Sequence, residues 1–281
     1  MFILVALMAW YFTKRQPSRD IAIPKVIWSF WHDANDIPEI VKTCMESWKV
    51  HNPDYRINIL TKDTIKDFLP HINTSRWTHG EKLSHLSDRI RINLLATYGG
   101  IWMDASILCT QTLEWLHDIR EKHDSDVVAF YLKGFTTDMR YPIIESWFIA
   151  AVKNSPIISE WKKEMDRVDT FTTLNEYVEN VKSQGVNLQK IDALDYLHIH
   201  VAAQYVFQKK IDLKELQSKM YLLQAEQGPY KYLANSNWEQ GRAFDYLCKN
   251  KHARTPLIKF RGTERGYIIT NPQHDCTKDL V

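Results

Sequence analysis

The sequence predicts an α/β fold, a sheet covered by helices on both faces, and three observations carry that expectation. Short apolar runs of strand length alternate with amphipathic stretches of helical length as far as about residue 170, after which the pattern is mostly helical. No repeat, low-complexity segment or linker interrupts the chain after about residue 20, so residues 20–281 read as one domain behind a short hydrophobic segment, 1–16. At 281 residues, 44% hydrophobic and 25% charged, the chain can bury a large core and is excluded from the disordered, collagenous and multi-spanning classes.

The elements follow in order. Lys25 to Trp31 opens behind Pro24, and Val26, Trp28 and Phe30 alternate with Ile27 and Ser29 as a buried first strand would. Over 38–51, Ile40, Val41, Cys44, Met45 and Trp48 share one helical stripe, stopped by Asn52-Pro53-Asp54. Tyr55 to Leu60 is a second strand, and Thr61 can cap a short helix. Residues 81–98 form a longer helix through Leu83, Leu86, Ile90 and Leu94, ended by Gly99-Gly100. Ile101 to Leu108 reads as one strand, followed by a helix over 112–122 and strands at Val127 to Leu132 and Trp147 to Val152. Ser155-Pro156 starts the next helix with a cap and a proline at its first position.

Charge and cysteine usage narrow the partners. Lys plus Arg at 36 against Asp plus Glu at 34 leaves a formal +2, too even for a nucleic-acid binder working by bulk charge. An anionic ligand must therefore be held locally. Aromatic residues reach 12%, including ten Trp, enough for a core and for stacking on sugar or base rings. Cys44, Cys109, Cys248 and Cys276 lie far apart without metal-finger spacing, so free thiols are expected. Residues 1–12 are apolar but fall short of the roughly 20 residues that a span needs. Their positive charges follow rather than precede them, which argues against a signal peptide. They read either as a membrane-dipping anchor that leaves the remainder in the cytoplasm or as an arm packed on the domain. A cytoplasmic location, membrane-associated through the N-terminus, is expected over a Golgi-type lumenal one.

The chemistry concentrates between Ser87 and Ser106. Asp88 and Arg91 stand three apart on one helix face, where they read first as an intrahelical ion pair. The glycine pair allows a tight exit, and the next strand rises through Ile101 and Met103 to Asp104 at its carboxyl end, where open α/β sheets bind ligands. Period two puts Ser106 on the side of Asp104.

This segment resembles the DxxR and GG-(I/V)-(W/Y)-x-D-x-D signature of nucleotide-sugar glycosyltransferases with the glycosyltransferase A fold. It looks most like the capsular polysaccharide synthesis group, related to the mannosyltransferases of glycosyltransferase family 32. Ile23 to Trp28, Pro38 to Val41, Asn52 to Tyr55, Ser146 to Ala151 and Asp195 to His200 match in the same order. The resemblance implies a Rossmann-like mixed sheet flanked by helices with a mostly helical C-terminal half. It also implies transfer of a sugar from a nucleotide-sugar donor, UDP-linked rather than GDP-linked, to a glycan or polysaccharide acceptor.

Carried over residue by residue, the resemblance turns Asp88 toward sugar or ribose hydroxyls and Arg91 toward sugar or phosphate oxygens. Asp104 becomes the first acid of the metal motif, holding Mn²⁺ or Mg²⁺ against the donor phosphates. Ser106 is a departure, because the usual second acid is an anionic ligand and a hydroxyl coordinates weakly; the capsular group tolerates small residues here. Trp31 rather than Trp28 is expected to stack on the base, and Gly100 joins the donor-binding set. Asp195 and His200, read as sharing a helical face, could reach the acceptor hydroxyl or complete the metal shell, while His200 reads equally as a core histidine. Asp138 is a further candidate base. Lys259, Arg261 and Arg265 form a basic loop that could close over the diphosphate or be a solvated turn. Two rival classes stand beside the transferase: a glycan- or nucleotide-binding protein that lost turnover with the acid at 106, and a tethered structural protein whose Trp are core.

Overall fold

The structure is a computed structural model that describes residues 22–77, 82–250 and 253–281. Its centre is a six-stranded mixed sheet with the order β2-β1-β3-β6-β5-β7. The strands are β1 (Val26–Phe30), β2 (Arg56–Leu60), β3 (Gly100–Met103), β5 (Val127–Tyr131), β6 (Ile144–Ala151) and β7 (Met220–Gln224). β1 runs parallel to β2 and β3, β6 is antiparallel to β3 and β5, and β5 is parallel to β7. A separate two-stranded antiparallel sheet joins β4 (Ile107–Cys109) to β8 (Leu257–Lys259).

Alternation along the strands divides the core into two layers. Trp28, Phe30, Trp102, Val127, Ala129 and Ile149 face one side, packed against α3 (Leu83–Tyr98), α5 (Pro156–Val168) and α7 (His198–Lys209). Ile27, Ile101, Met103, Val128 and Ala150 face the other, packed against α1 (Glu39–His51), α4 (Glu114–His123), α9 (Lys231–Ala234) and α10 (Gln240–Lys249). The remaining helices are α2 (Ile65–Phe68), α6 (Leu174–Ser183), α8 (Leu213–Lys219) and α11 (Gly262–Thr270). Ser155 caps α5 by accepting from the Ile158 N–H, with Pro156 in the first turn. Between α3 and β3 the chain passes through Gly99 (φ +66°) and Gly100 (φ +96°), where a Cβ would fall 2.6 Å from Lys153 N and 2.7 Å from Val26 O. No other residue type fits that crossing.

Two expectations need correction. The strand read as continuous over 101–108 is broken: Ile107 N–H donates to Asp104 O (3.0 Å), closing a turn, and β4 leaves for the second sheet. Apolar period-two patterning continues through the turn, which is why the sequence hides it. The C-terminal half is mostly helical as expected, with β7 and β8 between its helices. Finally, Cys248 and Cys276 form a disulfide across a separation of 28 residues, and only Cys44 and Cys109 are free. The pairing depends on α10 meeting the C-terminal segment, which spacing alone does not show. Residues 1–12 lie outside the described residues, and among those described no helix is long and apolar enough to cross a membrane.

A crosslink over 28 residues is worth about 3 to 4 kcal/mol in the chain-entropy picture. Cys276→Ser is therefore expected to lower Tm by several degrees. The denatured, unreduced parent should show two reactive thiols, and a count of four would remove the bond.

Candidate active site

The site forms where β1 and β3 end. Asp104 follows β3 directly, its N–H donating to Trp147 O on the neighbouring antiparallel strand (2.9 Å). Trp31 follows β1, tied by its indole N–H to Asp36 O (2.8 Å). From the helical layer, α3 presents Asp88 and Arg91, both nearly buried. From the second sheet, the register Ile107↔Lys259 delivers Lys259 to the same place. Together they line a cleft of about 600 Å³, within the range of small-molecule sites.

Asp104 is the hub. Its Oδ2 lies 2.7 Å from Lys259 Nζ, and its Oδ1 accepts from the Trp102 indole (3.0 Å) and lies 3.4 Å from Arg91. Arg91 reaches Asp88 as well (3.3 Å), lies over the Trp102 ring (5.0 Å) and is braced by Ser87 Oγ (3.1 Å). Ser106 Oγ accepts from both Lys259 (3.0 Å) and Arg265 (3.0 Å). Asp104 nonetheless keeps 26% of its side chain exposed, toward the cleft that Asp88 and Arg91 face.

Charge is unevenly settled here. Burial drives the Asp104 carboxyl up, but the charges of Lys259 and Arg91 overcome it and hold the group at about 2. Asp88 goes the other way, pushed by burial to about 7 despite Arg91. Glu145 is likewise pushed by burial to about 7, against the pull of Lys259. Burial, and then the Arg91 charge, depress His200 to about 4, so it is a neutral imidazole near pH 7. Burial also lowers Lys259, opposed by Asp104.

Of the expected residues, Trp31, Asp88, Arg91, Asp104, Ser106, His200, Lys259 and Arg261 line the cleft, with Arg265 beside them. Arg261 spends its charge elsewhere, pairing with buried Glu264 (2.8 and 2.9 Å) and lying over Trp238. Trp28 is buried, its indole on Gly99 O. Gly100 does not reach the cleft: it opens β3, about 13 Å from the carboxyl end where Asp104 sits. Asp195 is exposed in a turn before α7, because Ala193 takes a positive φ (43°) and the helix starts only at His198. It therefore shares no helical face with His200. Asp138 is paired with Arg140 in an exposed turn, away from the cleft. Glu145 was not anticipated. It stands one residue ahead of the matched Ser146-Trp147-Phe148 stretch, and only the antiparallel direction of β6 brings that strand's start beside Asp104.

The expected Mn²⁺ or Mg²⁺ does not fit the donor set as placed. Asp104 and Ser106 are both bound to the Lys259 ammonium, while a hard cation wants several free oxygens. Among the described residues no group of three or more His, Cys, Asp and Glu is placed to share an ion. A second cavity of about 640 Å³ beside α2, α3 and α5 holds Arg89, but that guanidinium is spent on Asp169 and the Met165 carbonyl.

A mixed sheet covered by helices, with its cleft at the carboxyl ends of β1 and β3, is the architecture of the glycosyltransferase A class. Within that class the chain belongs to the capsular polysaccharide synthesis protein family, whose model matches residues 10–226. It is 23% identical to O-glycosyltransferase braB of Annulohypoxylon truncatum over 309 aligned positions, covering 95% of this chain and 70% of that protein. It is 29% identical to inositol phosphoceramide mannosyltransferase 3 of Schizosaccharomyces pombe over 128 positions, covering 42% of this chain and 35% of that one. The chain is thus a glycosyltransferase. Among solved structures it is similar to GlyE of Streptococcus pneumoniae TIGR4 (11% identity, TM-score 0.46, covering 87% of this chain and 56% of that one). It is also similar to the PaToxG glycosyltransferase (15% identity, TM-score 0.41, covering 92% and 87%).

Breaking a buried pair costs about 3 kcal/mol or more because the surviving charge is stranded. Asp104→Ala is expected to lose about that much in urea unfolding, with most of it restored by adding Lys259→Met. The Asp104 contribution is present above its ordinary value of 3.8 and lost as pH falls through about 2. An Asp104→Ala protein as stable as its parent would mean that the pair does not form.

Proposed function

We propose that the protein transfers a sugar from a nucleoside diphosphate sugar, UDP-linked, to a hydroxyl of a glycan acceptor. One observation carries this reading: Arg91, Lys259 and Arg265 converge around Asp104 and Ser106 at a cleft of about 600 Å³. Sugar transfer requires the bond from the anomeric carbon to the diphosphate to stretch, building negative charge on the departing oxygens. Groups fixed in advance around that charge do most of the catalysis. Arg91 and Lys259 are held by Asp88, Asp104, Ser106 and Ser87, so little reorganisation is needed when the donor binds.

The other roles follow from placement. Trp31, at the rim, offers a flat face to the base. Asp88 offers a carboxyl to sugar or ribose hydroxyls. Glu145 and neutral His200 are the cleft groups suited to take the acceptor's proton, Glu145 being poised near neutral pH. Residues 1–12 are proposed as a membrane tether beside a cytoplasmic domain, an arrangement in which the disulfide would be unusual, since such bonds persist mainly in oxidising compartments.

The purified 281-residue protein is expected to hydrolyse one member of a UDP-sugar panel slowly, read as UDP release. Arg91→Ala should lower kcat/KM by about 10²-fold or more. Turnover untouched by that substitution would remove the guanidinium from the reaction, and failure to bind any nucleotide sugar would remove the reading. The two phosphates of a UDP-sugar keep their charge from pH 8 to pH 6, roughly the range over which Asp88 and Glu145, both near 7, take up protons and lose negative charge. Donor affinity measured by calorimetry should therefore rise severalfold as pH falls across that range, and Asp88→Asn should flatten part of the rise. Deleting residues 1–16 is expected to leave turnover intact and release the protein from membranes; loss of folding would assign the segment to domain packing.

A further inference from the structure

We infer that this glycosyltransferase works without a divalent cation, the Lys259 ammonium occupying the ion's place between Asp104 and Ser106 and meeting the departing diphosphate directly. The inference rests on the donor reading above and adds what neutralises the leaving group.

Lys259 Nζ contacts the two side chains to which the motif would assign the metal, at 2.7 Å from Asp104 Oδ2 and 3.0 Å from Ser106 Oγ. It is no stray surface cation, since only 5% of the residue is exposed. The backbone around it is pinned from three sides. Lys259 N–H donates to Pro229 O (3.1 Å), Tyr232 Oη donates to Lys259 O (2.9 Å), and Phe260 N–H donates to Ser106 O (2.9 Å). The strand pairing that seats Lys259 is thus continuous with the turn that presents Asp104 and Ser106, which fixes the root of the lysine side chain beside both.

The serine then has a physical reason. A second carboxylate at 106 would suit a divalent ion, but here the residue must accept hydrogens from an ammonium and from the Arg265 guanidinium, which a neutral hydroxyl does at lower charge. With Asp88, which also pairs with Arg91, and Glu145 protonated, the one remaining carboxylate, Asp104, against Lys259, Arg91 and Arg265 leaves an excess of two positive charges. That excess equals the two negative charges of a diphosphate diester. Two of the three ammonium hydrogens are used by Asp104 and Ser106, and the third remains for a phosphate oxygen. A divalent ion entering between Asp104 and Ser106 would sit against the ammonium and be repelled.

The step balances without a co-reactant. The bond from the anomeric carbon to the phosphate oxygen breaks, its electron pair staying on that oxygen beside Lys259. A bond forms to the acceptor hydroxyl oxygen, and the hydroxyl proton passes to the neutral His200 in the cleft, or to Glu145 when that carboxyl is ionised. The products are the glycoside and UDP.

The experiment compares UDP release from the best UDP-sugar by the parent in excess EDTA and in excess Mn²⁺, together with a titration of Mn²⁺ alone followed by electron paramagnetic resonance. Equal rates and no Mn²⁺ bound at Asp104 support the inference. Turnover abolished by EDTA and restored by Mn²⁺, or bound Mn²⁺ that is lost in Asp104→Ala, overturns it while leaving the donor reading in place. If no UDP-sugar is bound or turned over in either condition, the donor reading itself fails and this inference with it. Lys259→Arg should retain turnover that Lys259→Ala loses by about 10²-fold. If the alanine variant does not fold, the parent's response to EDTA decides alone.

Discussion

One ion pair organises this molecule, the contact between Asp104 at the rim of the large sheet and Lys259 at the end of the small one. The partners lie 155 residues apart in the chain. Neither would be tolerable alone where it stands: Lys259 is almost fully buried, and Asp104 sits among apolar strand ends. Their union locks the turn after β3, fixes the register of β4 on β8 and aims Arg91 and Arg265 at one point. The cost of desolvating both charges is offset by completeness, because each Asp104 oxygen and the Ser106 hydroxyl have donors.

The two apolar layers supply the rigidity this requires. α3 can bury Asp88 and Arg91 because Leu86, Ile90 and Leu94 anchor it against Trp28 and Trp102 on the sheet. On the opposite face α1 is bolted to β4 through the Trp48 indole and Ile107 O (2.6 Å). The charged groups of the cleft therefore stand on a helix face, on a strand end and in the tight turn that follows β3, a placement that holds them close to a fixed geometry. Asp88 and Glu145 remain as groups whose charge changes near neutrality, beside an Asp104 that stays ionised.

Much of this was legible in the sequence, and the failures have physical causes. Alternation located β1, short apolar runs located β2 and β5, and the spacing of apolar residues located α1 and α3, because each of these elements packs against the core. The Asp88, Arg91 and Asp104 group was legible because one helix and the next strand carry all three. Lys259 was visible only as part of a basic run, since its meaning depends on a strand that pairs with β4. Glu145 and the Cys248–Cys276 bond depend on strand direction and on the docking of the C-terminal segment, neither of which local patterning contains. Asp195 was misplaced because a positive φ at Ala193 delays the helix, and alanine gives no warning of that.

The clamp is completed late. Translation runs from the N-terminus, so the ribosome releases Asp104, Arg91 and most of the large sheet long before it releases β8. Until the last strand arrives, the nascent protein holds a carboxylate with a neighbouring guanidinium and no ammonium. Proteolysis that removed β8 would take away the arm that closes this charge together with the core residues Leu257, Ile258 and Phe260.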